Sequence, residues 1–170
     1  MLKVFNDLEP FFQDNYRRIN VREYARLSKI SPPSASKVLS QLHKEALLNR
    51  EKDRNYIYFS ANKESPAFII LSRAYWLFRL KKIGFVDYVE KNYINPVVIL
   101  FGSFSKAEIK HDSDIDIAIF TPSKTKINPE AFEKRLKHKI QIFIFRNKEE
   151  VKNKELLNNI LNGFIIAGNW

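Results

Sequence analysis

The stretch Pro96 to Phe120, PVVILFGSFSKAEIKHDSDIDIAIF, constrains the fold of this 170-residue chain more than any other. It reads as an apolar strand, Val97 to Phe101, then a Gly102-Ser103 turn, then Ser113-Asp114-Ile115-Asp116 opening a second apolar strand. A glycine directly after a buried strand lets the backbone come close to a phosphate, and the turn that follows offers N–H donors at a helix start. The Ser103 hydroxyl adds one more donor. Asp114 and Asp116 are two apart at a strand edge, so both carboxylates point to one face while Ile115 and Ile117 point to the other. Like charges held that close repel unless a cation sits between them.

A phosphate-holding turn beside paired carboxylates suits metal-assisted chemistry on a nucleoside triphosphate, since Mg²⁺ is usually held by one or two carboxylates together with the substrate's phosphates. Gly102-Ser103, Lys106, Glu108 and Ser113-Asp114-Ile115-Asp116 resemble the signature of minimal nucleotidyltransferases of the DNA polymerase β superfamily, G-S-x-A-R-G-x-A-x-x-x-S-D-I-D. The register matches without a gap. Ser105, Lys106, Ala107 and Ile109 replace the usual Ala, Arg, Gly and Ala, and the lost glycine is the largest departure. Gly163 to Gly168 is similar to the closing G-x-x-L-x-G of these domains, so the resemblance covers residues 96 to 168. It implies Asp114 and Asp116 as catalytic metal ligands, Gly102 and Ser103 on the β and γ phosphates, and Lys106 offsetting phosphate charge. It also implies Mg²⁺ or Mn²⁺ as cofactor and ATP or another NTP as substrate or ligand. The acceptor in this family is a small molecule, RNA or a partner protein, and some members are antitoxins that adenylylate their toxin.

One expected part is missing. Asn128-Pro129-Glu130 begins a helix and His138 to Phe145 reads as a third strand, where active relatives carry a third carboxylate that completes the metal site and helps deprotonate the acceptor. This strand offers only Gln141 and Phe143. A glutamine can coordinate through oxygen but cannot act as a base, and losing a general base typically costs on the order of 10² to 10⁴ in rate. Glu108, Asp112 and His138 are the groups that could stand in. Two readings stay open: a transferase moving a nucleoside monophosphate to an acceptor, or a non-catalytic transcription regulator or antitoxin whose transferase-like domain binds nucleotide or a protein partner. Lys148 to Asn162 reads as one amphipathic helix.

Residues 1 to 64 read as a winged helix-turn-helix. Leu2 to Arg18 has helical spacing interrupted by Pro10, giving one helix or two short ones. Asn20 with Glu23 has capping-box spacing, with Val21, Tyr24, Ala25 and Ile30 inward. Ser31-Pro32-Pro33-Ser34 then enforces a turn. Beyond it Ala35, Val38, Leu39, Leu42 and Ala46 repeat at three and four, leaving small polar and basic residues outward. Leu47 to Glu51 and Asn55 to Ser60 alternate as a hairpin with the polar tip Lys52 to Asn55, similar to the wing of archaeal and bacterial regulators. For DNA this assigns Ser36, Lys37, Gln41 and Lys44 to the major groove and Arg50, Lys52 and Arg54 to backbone phosphates.

Residues 65 to 95 read as a helical connector, with Ser65-Pro66 as a helix start and Gly84 as a stop. Its wide apolar arc fits burial within its own chain or a face for a homodimer. The fold class is therefore α+β: winged helix-turn-helix, connector, and from residue 96 to 170 a nucleotidyltransferase-like mixed sheet with packed helices. Net charge is +10, spread as +4 over residues 1 to 64, +3 over 65 to 95 and +3 over 96 to 170, which favours polyanionic partners. With no cysteine, no apolar run of membrane-spanning length and no signal pattern, a cytoplasmic location off the membrane is expected. The three histidines, His43, His111 and His138, are too dispersed to argue a metal site.

Overall fold

The computed structural model describes residues 2–123 and 125–170. The chain divides into two compact units, Met1–Ser72 with Ala107–His111, and Arg73–Lys106 with Asp112–Trp170.

In the first unit, helix α1 (Lys3–Gln13) runs through Pro10 as a single helix, because Phe5, Leu8, Phe11 and Phe12 form one buried stripe on both sides of it. After strand β1 (Ile19–Asn20), α2 (Val21–Ser28) starts where Asn20 Oδ1 accepts from the Glu23 N–H at 3.0 Å. The Glu23 carboxylate turns instead to Arg17, 2.6 Å away. Ile30, expected on the inner side, is 37% exposed, because Lys29 enters the left-handed region at φ 55° and ends the helix before it.

Pro32 and Pro33 do more than break the chain. They open α3 (Pro32–Lys44), since first-turn positions need no N–H, and Ser31 Oγ caps the Ser34 N–H at 3.3 Å. Ala35, Leu39 and Leu42 are buried, whereas Ala46 lies past the helix end and is exposed. Strands β2 (Leu48–Asp53) and β3 (Tyr56–Ala61) pair antiparallel from Leu48↔Ala61 to Asp53↔Tyr56, leaving a two-residue Arg54-Asn55 turn, tighter than the four-residue tip expected. β1 adds to β3, giving a sheet ordered β1-β3-β2.

Residues 107–111 join this unit through Asn15, which is 1% exposed. Its amide donates to the Phe11 carbonyl and accepts from the Ile109 N–H, both at 2.7 Å, while its own N–H donates to the Ile109 carbonyl at 2.8 Å. Ala107 sits at φ 56°, the position where the family pattern has glycine. An L-residue there costs about 1–2 kcal/mol relative to the right-handed region, so the departure noted in the sequence carries a conformational penalty.

Helix α4 (Pro66–Lys82) begins at the Ser65-Pro66 signal, with Ser65 Oγ accepting from the Phe68 N–H at 3.4 Å. Its first seven residues count with the first unit and the remainder with the second. Phe68, Tyr75, Trp76 and Leu80 are buried, while Ile70 and Phe78 are 62% and 39% exposed.

The second unit continues with α5 (Phe85–Asn92), β4 (Val97–Phe101), α6 (Ser103–Lys106), β5 (Ile115–Phe120), α7 (Glu130–Leu136), β6 (Ile140–Phe145), α8 (Lys154–Leu161) and β7 (Phe164–Ala167). The sheet runs β6-β5-β4-β7, with β4 antiparallel to β5 and β7 and β5 parallel to β6, so it is mixed. One face carries Val97, Ile99, Phe101, Ala118 and Phe120, with Phe143 and Phe145, against Val151, Leu156, Leu157 and Ile160. The helix expected over Lys148 to Asn162 is split: a 3₁₀ turn at Lys148–Glu150 is capped by Asn147, and α8 restarts where Asn153 Oδ1 accepts from the Leu156 N–H at 3.0 Å. Two asparagine caps within seven residues outweigh the apolar periodicity. Among the described residues no helix is long and apolar enough to cross a membrane.

Candidate functional sites

Asp116 lies in the interior strand β5, directly between Phe101 of β4 and Gln141 of β6. Cross-strand partners share a face, so the Gln141 side chain stands beside Asp116 at the position expected of a third carboxylate. Phe143 is two residues further on, with its ring 5.5 Å from that of Phe101 in the core. Asp114 precedes β5 and is exposed. The residues either side of it are pinned to the start of β6: His138 Nδ1 donates to the Ser113 carbonyl at 2.8 Å, and the Ile115 N–H donates to the Lys139 carbonyl at 2.8 Å.

Gly102 ends β4 at φ 67°, and a Cβ built there would collide with Asp116 Oδ2 and lie 3.2 Å from its Cγ. The glycine therefore does two things: it permits the left-handed turn, and it leaves room for the carboxylate laid across its Cα. Ser105 ties the turn down, with its N–H and Oγ donating to the Gly102 carbonyl at 3.2 and 2.9 Å, and Arg73 Nε donates to the Ser105 carbonyl at 2.6 Å. Ser103 is the half-buried first residue of α6. Lys106 Nζ donates to Asn159 Oδ1 of α8 at 3.3 Å. Neither Arg73 nor Asn159 is legible from spacing, because only the tertiary fold brings them to the motif.

Burial, and then the neighbouring Asp114 charge, push the Asp116 carboxyl up to about 6. Two carboxylates that are costly to ionise together, beneath a glycine with no side chain, fit a Mg²⁺ arriving with a triphosphate whose oxygens complete its shell. Among the described residues no group of three or more His, Cys, Asp or Glu side chains is placed to hold a metal. Of the groups considered as substitutes for the third carboxylate, Glu108 is not on a helix, since α6 ends at Lys106, and it belongs to the segment that counts with the first unit. Asp112 is exposed and His138 is engaged with Ser113.

In the first unit, Ser36, Lys37 and Lys44 are exposed along α3. Gln41 is also exposed, but its amide donates to Glu45 at 2.7 Å and it lines a groove with Lys3, Val4 and Asp7 of α1. Along the hairpin, Arg50 and Lys52 pair with Phe59 and Ile57 and so share the face of the buried Phe59. Glu51 and Asp53 take the other face, where Arg18 lies 3.4 Å from each carboxylate and 4.8 Å from the Tyr58 ring centroid. Arg54 sits exposed in the turn at φ 53°.

A family model described as polymerase beta, nucleotidyltransferase matches residues 85–166, from the first residue of α5 into β7. This stretch is therefore similar to nucleotidyltransferase domains. Comparison with curated proteins and with solved structures gave no match.

Proposed function

We propose that the second unit binds a nucleoside triphosphate with Mg²⁺ and transfers its nucleoside monophosphate to an acceptor hydroxyl. The observation that carries this reading is the half-buried Asp116, set against Gly102 with its carboxyl raised by burial and by Asp114. Asp114 and Asp116 would hold the metal, which supplies charge neutralisation at the phosphates. The Gly102-Ser103 turn receives the β and γ phosphates, and Lys106, steadied by Asn159, offsets their charge. In the transfer, the acceptor oxygen bonds to the α-phosphorus as the bond to the α–β bridging oxygen breaks. Pyrophosphate leaves with the electron pair, and the hydroxyl proton passes to water or a carboxylate.

Incubating the protein with α-labelled ATP and Mg²⁺ or Mn²⁺, offering itself, total RNA and neighbour-encoded proteins as acceptors, is expected to move label in the native protein only. The Asp114→Ala, Asp116→Ala variant is expected to be silent. Label moving equally in that variant would sink the assignment.

Gln141 favours a second reading, a nucleotide-binding regulator or antitoxin that does not turn over, because the cross-strand neighbour of Asp116 on β6 is an amide that cannot act as a base. In that case ATP binds in an aspartate-dependent way and no label moves.

For the first unit we propose a winged helix-turn-helix that binds duplex DNA. The order helix, strand, two helices and hairpin supports it, with Ser36, Lys37 and Lys44 exposed along α3 and Arg50 and Lys52 on the hairpin face of Phe59. Gln41 contributes from the edge of that helix, and Arg54 from the turn. A Lys37→Ala, Lys52→Ala variant is expected to lower the salt slope of duplex binding by about 2, at about 0.9 per neutralised phosphate. An unchanged slope would remove these lysines from the interface.

A further inference from the structure

The segment Lys134 to Lys139 reads Lys-Arg-Leu-Lys-His-Lys, and the end of α7 folds it around a cleft of about 360 Å³. Lys134, Lys137, His138 and Lys139 line this cleft with Glu130 and Glu133. Glu133 is largely spoken for: it accepts from the Ile140 N–H at 2.8 Å and from Lys139 at 3.3 Å, which holds its carboxyl below the usual range. Lys134 and Lys137 are exposed, and no ion pair engages them among the described residues.

Lysines near a helix C-terminus can simply answer its dipole. Here the cleft has a further property, its position. The same His138 and Lys139 that line it hold Ser113 and Ile115, the residues flanking Asp114. The wall of the cleft is therefore hydrogen-bonded to the segment that carries Asp114. Any anionic ligand approaching Asp114 and Asp116 is repelled, and lysines beside them offset that repulsion.

We propose that this cleft holds the phosphate backbone of a single-stranded nucleic acid, whose terminal hydroxyl is thereby presented to the carboxylate site, with Lys134 and Lys137 as the principal contacts. The ligand's role as acceptor rests on the transferase reading above; its binding in the cleft does not. Protein acceptors need no cluster of cations beside their hydroxyl, whereas a strand end carries a phosphate one nucleotide back from it.

The test titrates the full-length protein with a fluorescein-labelled oligoribonucleotide, its deoxy counterpart and, separately, ATP with Mg²⁺, over a range of salt. The Lys134→Glu, Lys137→Glu variant is expected to bind the oligonucleotide at least about tenfold more weakly, with a salt slope smaller by about 1.4, at about 0.7 per neutralised phosphate on a single strand. Its ATP affinity is expected to stay within about twofold of native. The charge-neutral Lys134→Gln, Lys137→Gln variant, with an unchanged melting temperature, is expected to show the same direction at smaller amplitude. Preference between the two oligonucleotides tells RNA from DNA. Unchanged oligonucleotide affinity and slope would overturn the proposal. So would an ATP affinity that falls in step, because the cleft would then serve the donor's phosphates. If native protein binds no ATP yet the oligonucleotide effects hold, the transferase reading fails and the cleft stands.

Discussion

Replacing Asp116 with asparagine is expected to make the ligand-free protein more stable at about pH 8 while abolishing nucleotide binding. The Asp116 carboxyl titrates at about 6 in the fold against an ordinary 3.8, because burial and Asp114 both oppose its ionisation. A carboxyl whose folded pKa is raised favours the folded state in its protonated form. That contribution is complete below the ordinary value and is lost as pH rises through about 6. At about pH 8 the native protein therefore carries a half-buried, repelled charge that the amide removes. Discounted for solvent screening, the gain is about 1–2 kcal/mol, or roughly 3–6 °C in melting temperature. At about pH 4 the two proteins should melt nearly together. Saturating Mg²⁺ and ATP should reverse the order at about pH 8, since a ligand at about 100 times its Kd adds about 2.7 kcal/mol to the protein that binds it. A variant less stable than native at about pH 8 without ligand would contradict this account of Asp116.

The second expected result is a gain of chemistry. Gln141→Asp places a carboxylate beside Asp116 in the parallel β5–β6 register. If transfer is limited by the missing base, single-turnover label transfer should rise by about 10²-fold or more. The same change brings a third negative charge to the site, so the ligand-free variant should melt lower than native, and added Mg²⁺ should restore it. A rate that does not move, with nucleotide still bound, would mean that the acceptor proton leaves by a route independent of position 141. Transfer appearing only in the variant would identify the native domain as a nucleotide binder lacking a single group.

Local chemistry accounts for what could be read in advance. The run Val97 to Phe101 is the strand it promised, Ser65-Pro66 opens α4, Asn20 caps α2, and Gln141 falls in register with Asp116. The first three follow from periodicity or from one side chain meeting a nearby backbone, whereas the place of Gln141 beside the aspartates is implied by the family resemblance. Long-range partners were not legible. Nothing in the spacing ties Asn15 to Ile109, or Lys106 to Asn159, and the two-residue β1 exists only because β3 offers it an edge. The proline pair at 32 and 33 marks a boundary in either case, and only the Ser31 cap decides that a helix starts there. The uninterrupted periodicity from Lys148 to Asn162 concealed a break that Asn153 imposes.

Gly102 bears on how the motif itself should be read. Its missing side chain is required by Asp116 of the same chain before any nucleotide arrives, since a methyl group there would displace the carboxylate and strain a φ of 67°. Folding alone is thus enough to retain the glycine, and a descendant that had stopped turning over substrate would still display the Gly-Ser signature. If the transferase reading holds, the position that separates a catalyst from a binder is one strand further out, at residue 141.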